Sequence, residues 1–171
     1  MSAFKSLVLD VDSTVAAIEG IDWLAERRDA ATAAWVADLT RRAMDGALPI
    51  EAAYERRLLA IAPTRAEVAS LADAYIEALV PGAAETIARA QGAGLDVRLL
   101  SGGLHEAIVP MARHLGLPES AVHAVRVAWS ADGQCLGLDG DAPLARSGGK
   151  PAVRARLALA SPVLAVGEAT A

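Results

Sequence analysis

The sequence predicts an α/β protein with a parallel-sheet core and a helical bundle inserted after the first strand. Three observations carry this prediction. Ser6–Asp10 is a short apolar run closed by acids, the pattern of a strand buried on both faces of a parallel sheet. Asp96–Leu100, Asp-Val-Arg-Leu-Leu, is the next run of that kind. Between Asp12 and Asp96 the chain is helical in pattern and far exceeds the roughly dozen residues that a crossover between parallel strands needs. That stretch therefore holds an inserted lobe plus one true crossover helix.

Turn signals divide the lobe. A first helix is expected from about Ala17 to Arg28 and a second from about Ala31 to Met44, ended near Gly46. A third runs from Pro49 to Ile61 and is stopped by Pro63. The fourth opens on Thr64-Arg65-Ala66-Glu67, a capping box, and carries Val68, Leu71, Ala72, Tyr75, Ile76 and Leu79 as one apolar stripe. Pro81-Gly82 ends the lobe, and Ala83–Gln91 is the crossover helix, with Gly92 and Gly94 as stops. These breaks predict a core from residues 1–15 and 80–171 and a helical insertion over 16–79.

After Leu100, Ser101-Gly102-Gly103 is expected to open a helix reaching about Leu115, kinked or split at Pro110. Val122–Trp129 and Gln134–Leu138 flank Asp132-Gly133 and predict a hairpin. Gly149-Lys150-Pro151 opens a further helix. Ser161-Pro162 breaks it before a last apolar strand, Val163–Val166.

The chain has 171 residues, about one domain, and is 54% apolar, although 40 of those residues are alanines. Net charge is −5, which argues against a nucleic-acid binder that relies on a basic field. No apolar run approaches the roughly 18 residues of a membrane span. The first apolar run is cut short by Asp10 and Asp12, so a signal peptide is not expected. A single cysteine, Cys135, permits no internal disulfide and fits a reducing, cytoplasmic setting. Cys135 itself reads as a small strand residue, and His105, His114 and His123 lack metal-ligand spacing.

Four places carry candidate chemistry. Asp10-Val11-Asp12-Ser13-Thr14 follows the first strand, where ligands of open α/β sheets bind. Two carboxylates spaced by one residue repel unless a cation or proton lies between them. That suits a nucleophile with an acid/base partner, or a hard-metal site; the alternative is a helix-capping cluster. Ser101-Gly102-Gly103 offers a hydroxyl and backbone N–H groups to an anion, or simply a turn. Lys150 is one of only two lysines against 14 arginines, so a compact cation is either required there or merely solvated. Arg57 falls in the middle of the stripe formed by Ile50, Ala53, Tyr54, Leu58 and Ile61. A cation on a buried face needs a partner, either a structural acid or an anionic ligand between lobe and sheet.

The order of these pieces resembles the haloacid dehalogenase (HAD) superfamily of phosphatases. Asp10–Thr14, Glu19-Gly20-Ile21-Asp22, Ala43-Met44-Asp45-Gly46, Arg56-Arg57-Leu58 and Leu100–Gly103 are together similar to the phosphoserine phosphatases within it. The resemblance implies a Rossmann-like core with a helical cap, and a phosphomonoesterase that hydrolyses O-phosphoserine in serine biosynthesis. It implies Asp10 as the nucleophile that becomes an aspartyl-phosphate and Asp12 as the acid/base. Mg²⁺ would bind Asp10, the Asp12 carbonyl and Glu168. Ser101, Lys150 and the Gly102 amide would hold the phosphoryl oxygens. Glu19 would meet the substrate ammonium and Arg57 its carboxylate, with Met44 and Ile50 lining the pocket.

The last family motif, Gly-Asp-Gly-x-Asn/Thr-Asp, is altered here to Val166-Gly167-Glu168-Ala169-Thr170-Ala171. Glu168 thus stands where the resemblance expects a metal-binding aspartate, one methylene shorter. The residues equally admit another small phosphate ester, phosphoryl transfer to a different acceptor, and a catalytically impaired fragment or vestigial binding protein.

Overall fold

The computed structural model describes residues 3–167. Four strands, β1 (Ser6–Leu9), β2 (Asp96–Leu104), β3 (Val122–Val125) and β6 (Val163–Val166), form one parallel sheet in the order β3-β2-β1-β6. β1 is buried at every position, as its unbroken apolar run requires. It pairs with β2 through Leu7↔Val97 and Leu9↔Leu99, and with β6 through Leu7↔Leu164 and Leu9↔Val166. β6 is an edge strand, and no other described strand pairs its far side. The chain leaves β1 toward β2 on one side and meets β6 on the other. The order therefore reverses at the carboxyl end of β1, the place where such sheets bind ligands.

Four helices lie between β1 and the crossover: α1 (Gly20–Ala25), α2 (Ala30–Met44), α3 (Ile50–Ile61) and α4 (Arg65–Glu77). α1 is shorter than expected because its flanks serve other purposes. The Ala17 N–H donates to the Ala78 carbonyl at 2.8 Å and the Val80 N–H to the Val15 carbonyl at 3.0 Å. The chain thus enters and leaves the helical segment through two strands held side by side. Val68, Leu71, Ala72 and Tyr75 of α4 are buried, and α4 packs along α6 (His105–His114). These residues join the sheet, α1 and α3 in a single apolar core. A smaller cluster, Leu39, Leu48 and Ala53, holds α2 to α3.

The capping box at α4 forms as the spacing predicts. Thr64 Oγ1 accepts from the Glu67 N–H at 3.2 Å, and Glu67 Oε2 accepts from the Thr64 N–H at 2.8 Å. Arg28 adds a fork, donating to both Glu67 oxygens at 2.6 and 2.8 Å and to the Ile61 carbonyl at 2.7 Å. The Arg28 hydrogen bond is the main cause that holds Glu67 down at a pKa of about 2. A depressed carboxyl stabilises the fold above its unfolded pKa, near 4.5, and loses that contribution as pH falls toward 2. Glu67→Gln is expected to lower Tm at neutral pH by about 2–4 °C, the effect of roughly 1 kcal/mol in a domain this size. Melting curves from pH 7 to pH 3 should show the gap closing with acid.

Three further elements differ from the sequence expectation. β2 does not stop at Leu100 but runs through Ser101-Gly102-Gly103 to Leu104, with an irregular register against β3, so α6 opens at His105. α6 continues through Pro110, whose ring is exposed, because Ile108, Met111 and Ala112 bury the opposite side. The run Val122–Trp129 divides at Arg126. Its first half joins the main sheet as β3, while β4 (Val127–Trp129) pairs antiparallel with β5 (Cys135–Leu138) around Gly133 at φ +82°. That hairpin docks on the α3–α4 turn through Arg65 N–H to the Gly133 carbonyl and Cys135 N–H to the Pro63 carbonyl. Cys135 is a half-buried strand residue, its thiol pKa raised by that burial. Two more α-helices lie among the described residues, α5 (Ala83–Gly92) as the crossover and α7 (Gly149–Arg156) before β6. No described helix is long and apolar enough to cross a membrane.

Candidate active site

Asp10 follows β1 at the point where the sheet order reverses, its N–H donating to the Val166 carbonyl at 2.9 Å. Its Oδ1 accepts from the Val11 N–H at 2.8 Å, and its Oδ2 accepts from Lys150 Nζ. Lys150 reaches it from the first turn of α7. Gly149 permits that placement, since a Cβ there would lie 1.8 Å from the Pro143 carbonyl oxygen. Gly167 backs onto Asp10 so closely that its own Cβ would be 2.9 Å from that of Asp10. The scarce lysine is therefore the counter-cation of the first acid.

Asp12 takes donors from three directions. Oδ1 accepts from the Tyr75 hydroxyl at 2.6 Å and from the Gly20 N–H at 2.8 Å, while Oδ2 accepts from Ser101 Oγ at 3.1 Å. Ser101 is fully buried, and its hydroxyl also accepts from the Gly103 N–H at 2.9 Å. It lies behind the cleft surface rather than on it, because β2 continues as a strand through this segment instead of turning into a helix. Burial, and secondly the nearby Asp12 charge, push the Tyr75 hydroxyl pKa well above its usual value, so it stays a donor.

A cleft of about 250 Å³ opens between these groups and the helical segment. Asp10, Asp12, Gly102 and Lys150, which follow β1 or lie on β2 and α7, line it together with Glu19, Ile50, Tyr54 and Arg57 from the helical segment. Glu19 accepts from Ser13 Oγ at 2.5 Å. Arg57 Nη1 donates to Thr40 Oγ1 at 2.9 Å and its guanidinium lies 5.7 Å from the Tyr54 ring centroid, but its buried Nε has no hydrogen-bond partner. Among the described residues no acid forms an ion pair with this inward cation. Tyr54 donates its hydroxyl to the Gly102 carbonyl at 2.7 Å, and burial raises its pKa so that it remains protonated.

The cleft brings together Asp10, Asp12, Glu19, Arg57, Gly102 and Lys150, all singled out by sequence. It does not include Met44, which is 84% exposed at the end of α2. The buried positions of α2 are Val36 and Leu39, and Met44 falls off that face. Glu168 lies outside the described residues. Tyr54, Tyr75, Gly20 and Gly103 were missed, the tyrosines because they fit the apolar stripes of α3 and α4. The available signal was the hydroxyl, which a buried tyrosine must satisfy.

Four carboxylates, Asp10, Asp12, Glu19 and Asp22, line the cleft against two cations, Arg57 and Lys150. That excess of carboxylate oxygens is a hard-oxygen donor set. The described residues contain no group of three or more His, Cys, Asp or Glu side chains placed to hold a metal by themselves. His105, at the start of α6, and His123, in β3, sit elsewhere, both with pKa values lowered by burial.

No family model matches the chain. It is 39% identical over 146 residues to the chloroplastic phosphoserine phosphatase of Arabidopsis thaliana, covering 85% of this chain and 49% of that protein. The chain spans between about half and two thirds of the length of such curated relatives. Its fold superposes on a phosphoserine phosphohydrolase-like protein from Francisella tularensis with TM-score 0.82 and 25% identity, covering 94% of this chain and 76% of that one. A phospho-aspartyl intermediate analogue of phosphoserine phosphatase matches with TM-score 0.76 and 25% identity, over 98% of this chain and 79% of that one. By sequence, fold and the order of its site residues, the chain resembles the phosphoserine phosphatases of the haloacid dehalogenase superfamily and shares their fold.

Proposed function

We propose that this chain hydrolyses O-phosphoserine to serine and phosphate through an aspartyl-phosphate on Asp10. The observation that carries the reading is one cleft lined by the Asp10–Lys150 pair, Asp12, Glu19 and Arg57, whose buried Nε has no hydrogen-bond partner. Phosphoserine has the matching ends, a phosphoryl group and an amino acid. Asp10 attacks phosphorus, the P–O bond to serine breaks, and Asp12 gives its proton to the departing oxygen. A water then gives a proton to Asp12 and attacks phosphorus, which frees phosphate and restores the Asp10 carboxylate.

Lys150 offsets charge on Asp10 and on the incoming phosphoryl oxygens. Ser101 turns its hydroxyl from Asp12 to the phosphoryl group, joined by the Gly102 N–H. Arg57 takes the substrate carboxylate and Glu19 its ammonium. Asp10, the Asp12 carbonyl and Glu168 would hold Mg²⁺, which when bound neutralises charge on the transferring group. In this reading residues 16–79 act as a cap on a core of 1–15 and 80–171, and closure excludes water. The single cysteine supports a cytoplasmic setting.

Phosphate release from O-phosphoserine, followed with and without Mg²⁺, tests the proposal. Release that depends on Mg²⁺ is expected. A folded chain that releases none under either condition overturns it.

A further inference from the structure

Asp12 is held by the helical segment as well as by the sheet, and the holding is asymmetric. Oδ1 receives two donors, the Tyr75 hydroxyl at 2.6 Å and the Gly20 N–H at 2.8 Å. Oδ2 receives only Ser101 Oγ, at 3.1 Å. Tyr75 is fully buried on α4, and its ring packs in the apolar core. Two glycines keep the space around this contact open. A Cβ on Gly20 would lie 2.2 Å from the Tyr75 oxygen, and a Cβ on Gly103 would lie 2.9 Å from Asp12 Oδ2 and 3.0 Å from the Tyr75 oxygen. No side chain beyond glycine fits at either position without moving the pair.

We propose that Tyr75 is a positioning residue for the acid/base step: by occupying Oδ1 it fixes the Asp12 carboxyl so that Oδ2 alone exchanges the proton with the leaving oxygen and with water. The inference rests on the function proposed above for Asp12 and adds to it a residue from the inserted helices. With Oδ1 filled, a proton on Asp12 resides on the oxygen with a free lone pair. Without Tyr75 only the Gly20 N–H still holds Oδ1, the carboxyl turns more freely about its Cβ–Cγ bond, and the fraction correctly placed falls.

Tyr75→Phe tests this, since it removes only the hydroxyl and keeps the packed ring. Thermal unfolding of the variant serves as the folding control. For O-phosphoserine, whose alkoxide must be protonated, kcat/KM is expected to fall about tenfold or more, the range of a hydrogen bond to a charged group. For p-nitrophenyl phosphate, whose leaving group departs without a proton, kcat/KM reports the first step only and is expected to stay unchanged. In an Asp12→Asn background Tyr75→Phe should have no further effect on phosphoserine turnover. A folded variant that keeps wild-type kcat/KM on phosphoserine, loses it equally on both esters, or loses it again in the Asp12→Asn background overturns the positioning role alone. A wild-type chain silent on phosphoserine overturns the function proposed above, and this role with it, and is recognised by the wild type failing rather than the variant.

Discussion

Asp10→Asn is expected to abolish phosphate release from O-phosphoserine, by roughly 10⁴-fold or more, as loss of a covalent nucleophile does. The physical reason is specific to this site. An amide is a poor nucleophile toward phosphorus, and the substitution also removes the negative partner of Lys150 Nζ. The lysine would still attract the phosphoryl group, so binding should survive while turnover is lost. The comparison is single-turnover phosphate release against inorganic phosphate binding, measured in the same variant. The fold should tolerate the change, because Asn presents an acceptor oxygen to the Val11 N–H that Asp10 Oδ1 now serves.

Arg57→Ala is expected to produce the second-largest effect, and one that depends on the substrate. Arg57 is inward-facing, with Nη1 on Thr40 and a buried Nε that has no partner. A buried donor without an acceptor is costly unless a ligand supplies one. Against a substrate carboxylate the guanidinium provides charge-assisted bonds, so kcat/KM for phosphoserine should fall roughly 10- to 100-fold. O-phosphoethanolamine keeps the ammonium and phosphoryl groups but lacks the carboxylate, and its kcat/KM should change little. Equal losses on both esters would mean that Arg57 supports the helical segment rather than reading the substrate. Arg56, exposed on the other side of α3, provides the control.

Much of this was legible because single residues dictate it. Prolines at 49, 63 and 81 bound the helices since they cannot donate to a preceding turn, and α3 and α4 fall between them. Thr64 and Glu67 specify a capping box by spacing alone. The apolar run of β1 announced a strand buried on both faces, and with it the location of Asp10. Arg57 was legible because helical geometry puts it on the apolar stripe whatever the tertiary structure. What stayed hidden depends on contacts between distant segments. The extension of β2 through Ser101–Leu104 follows from the tight space beside Asp12 and Tyr75, which local glycine signals read as a turn. The division at Arg126 depends on which sheet each half can reach. Tyr54 and Tyr75 counted as core because their rings are core, and only the position of the hydroxyls separates the two roles. Met44 fell outside the cleft because the buried face of α2 is narrow, reaching Val36 and Leu39 but not its last turn.

Rapid acid quench of the wild-type chain turning over ³²P-labelled phosphoserine shows whether Asp10 carries the phosphoryl group. Transient label is expected on a peptide spanning Asp10, dischargeable by hydroxylamine and missing in Asp10→Asn. Sustained phosphate release with no label trapped on the protein, or with label on a peptide that does not contain Asp10, would contradict it.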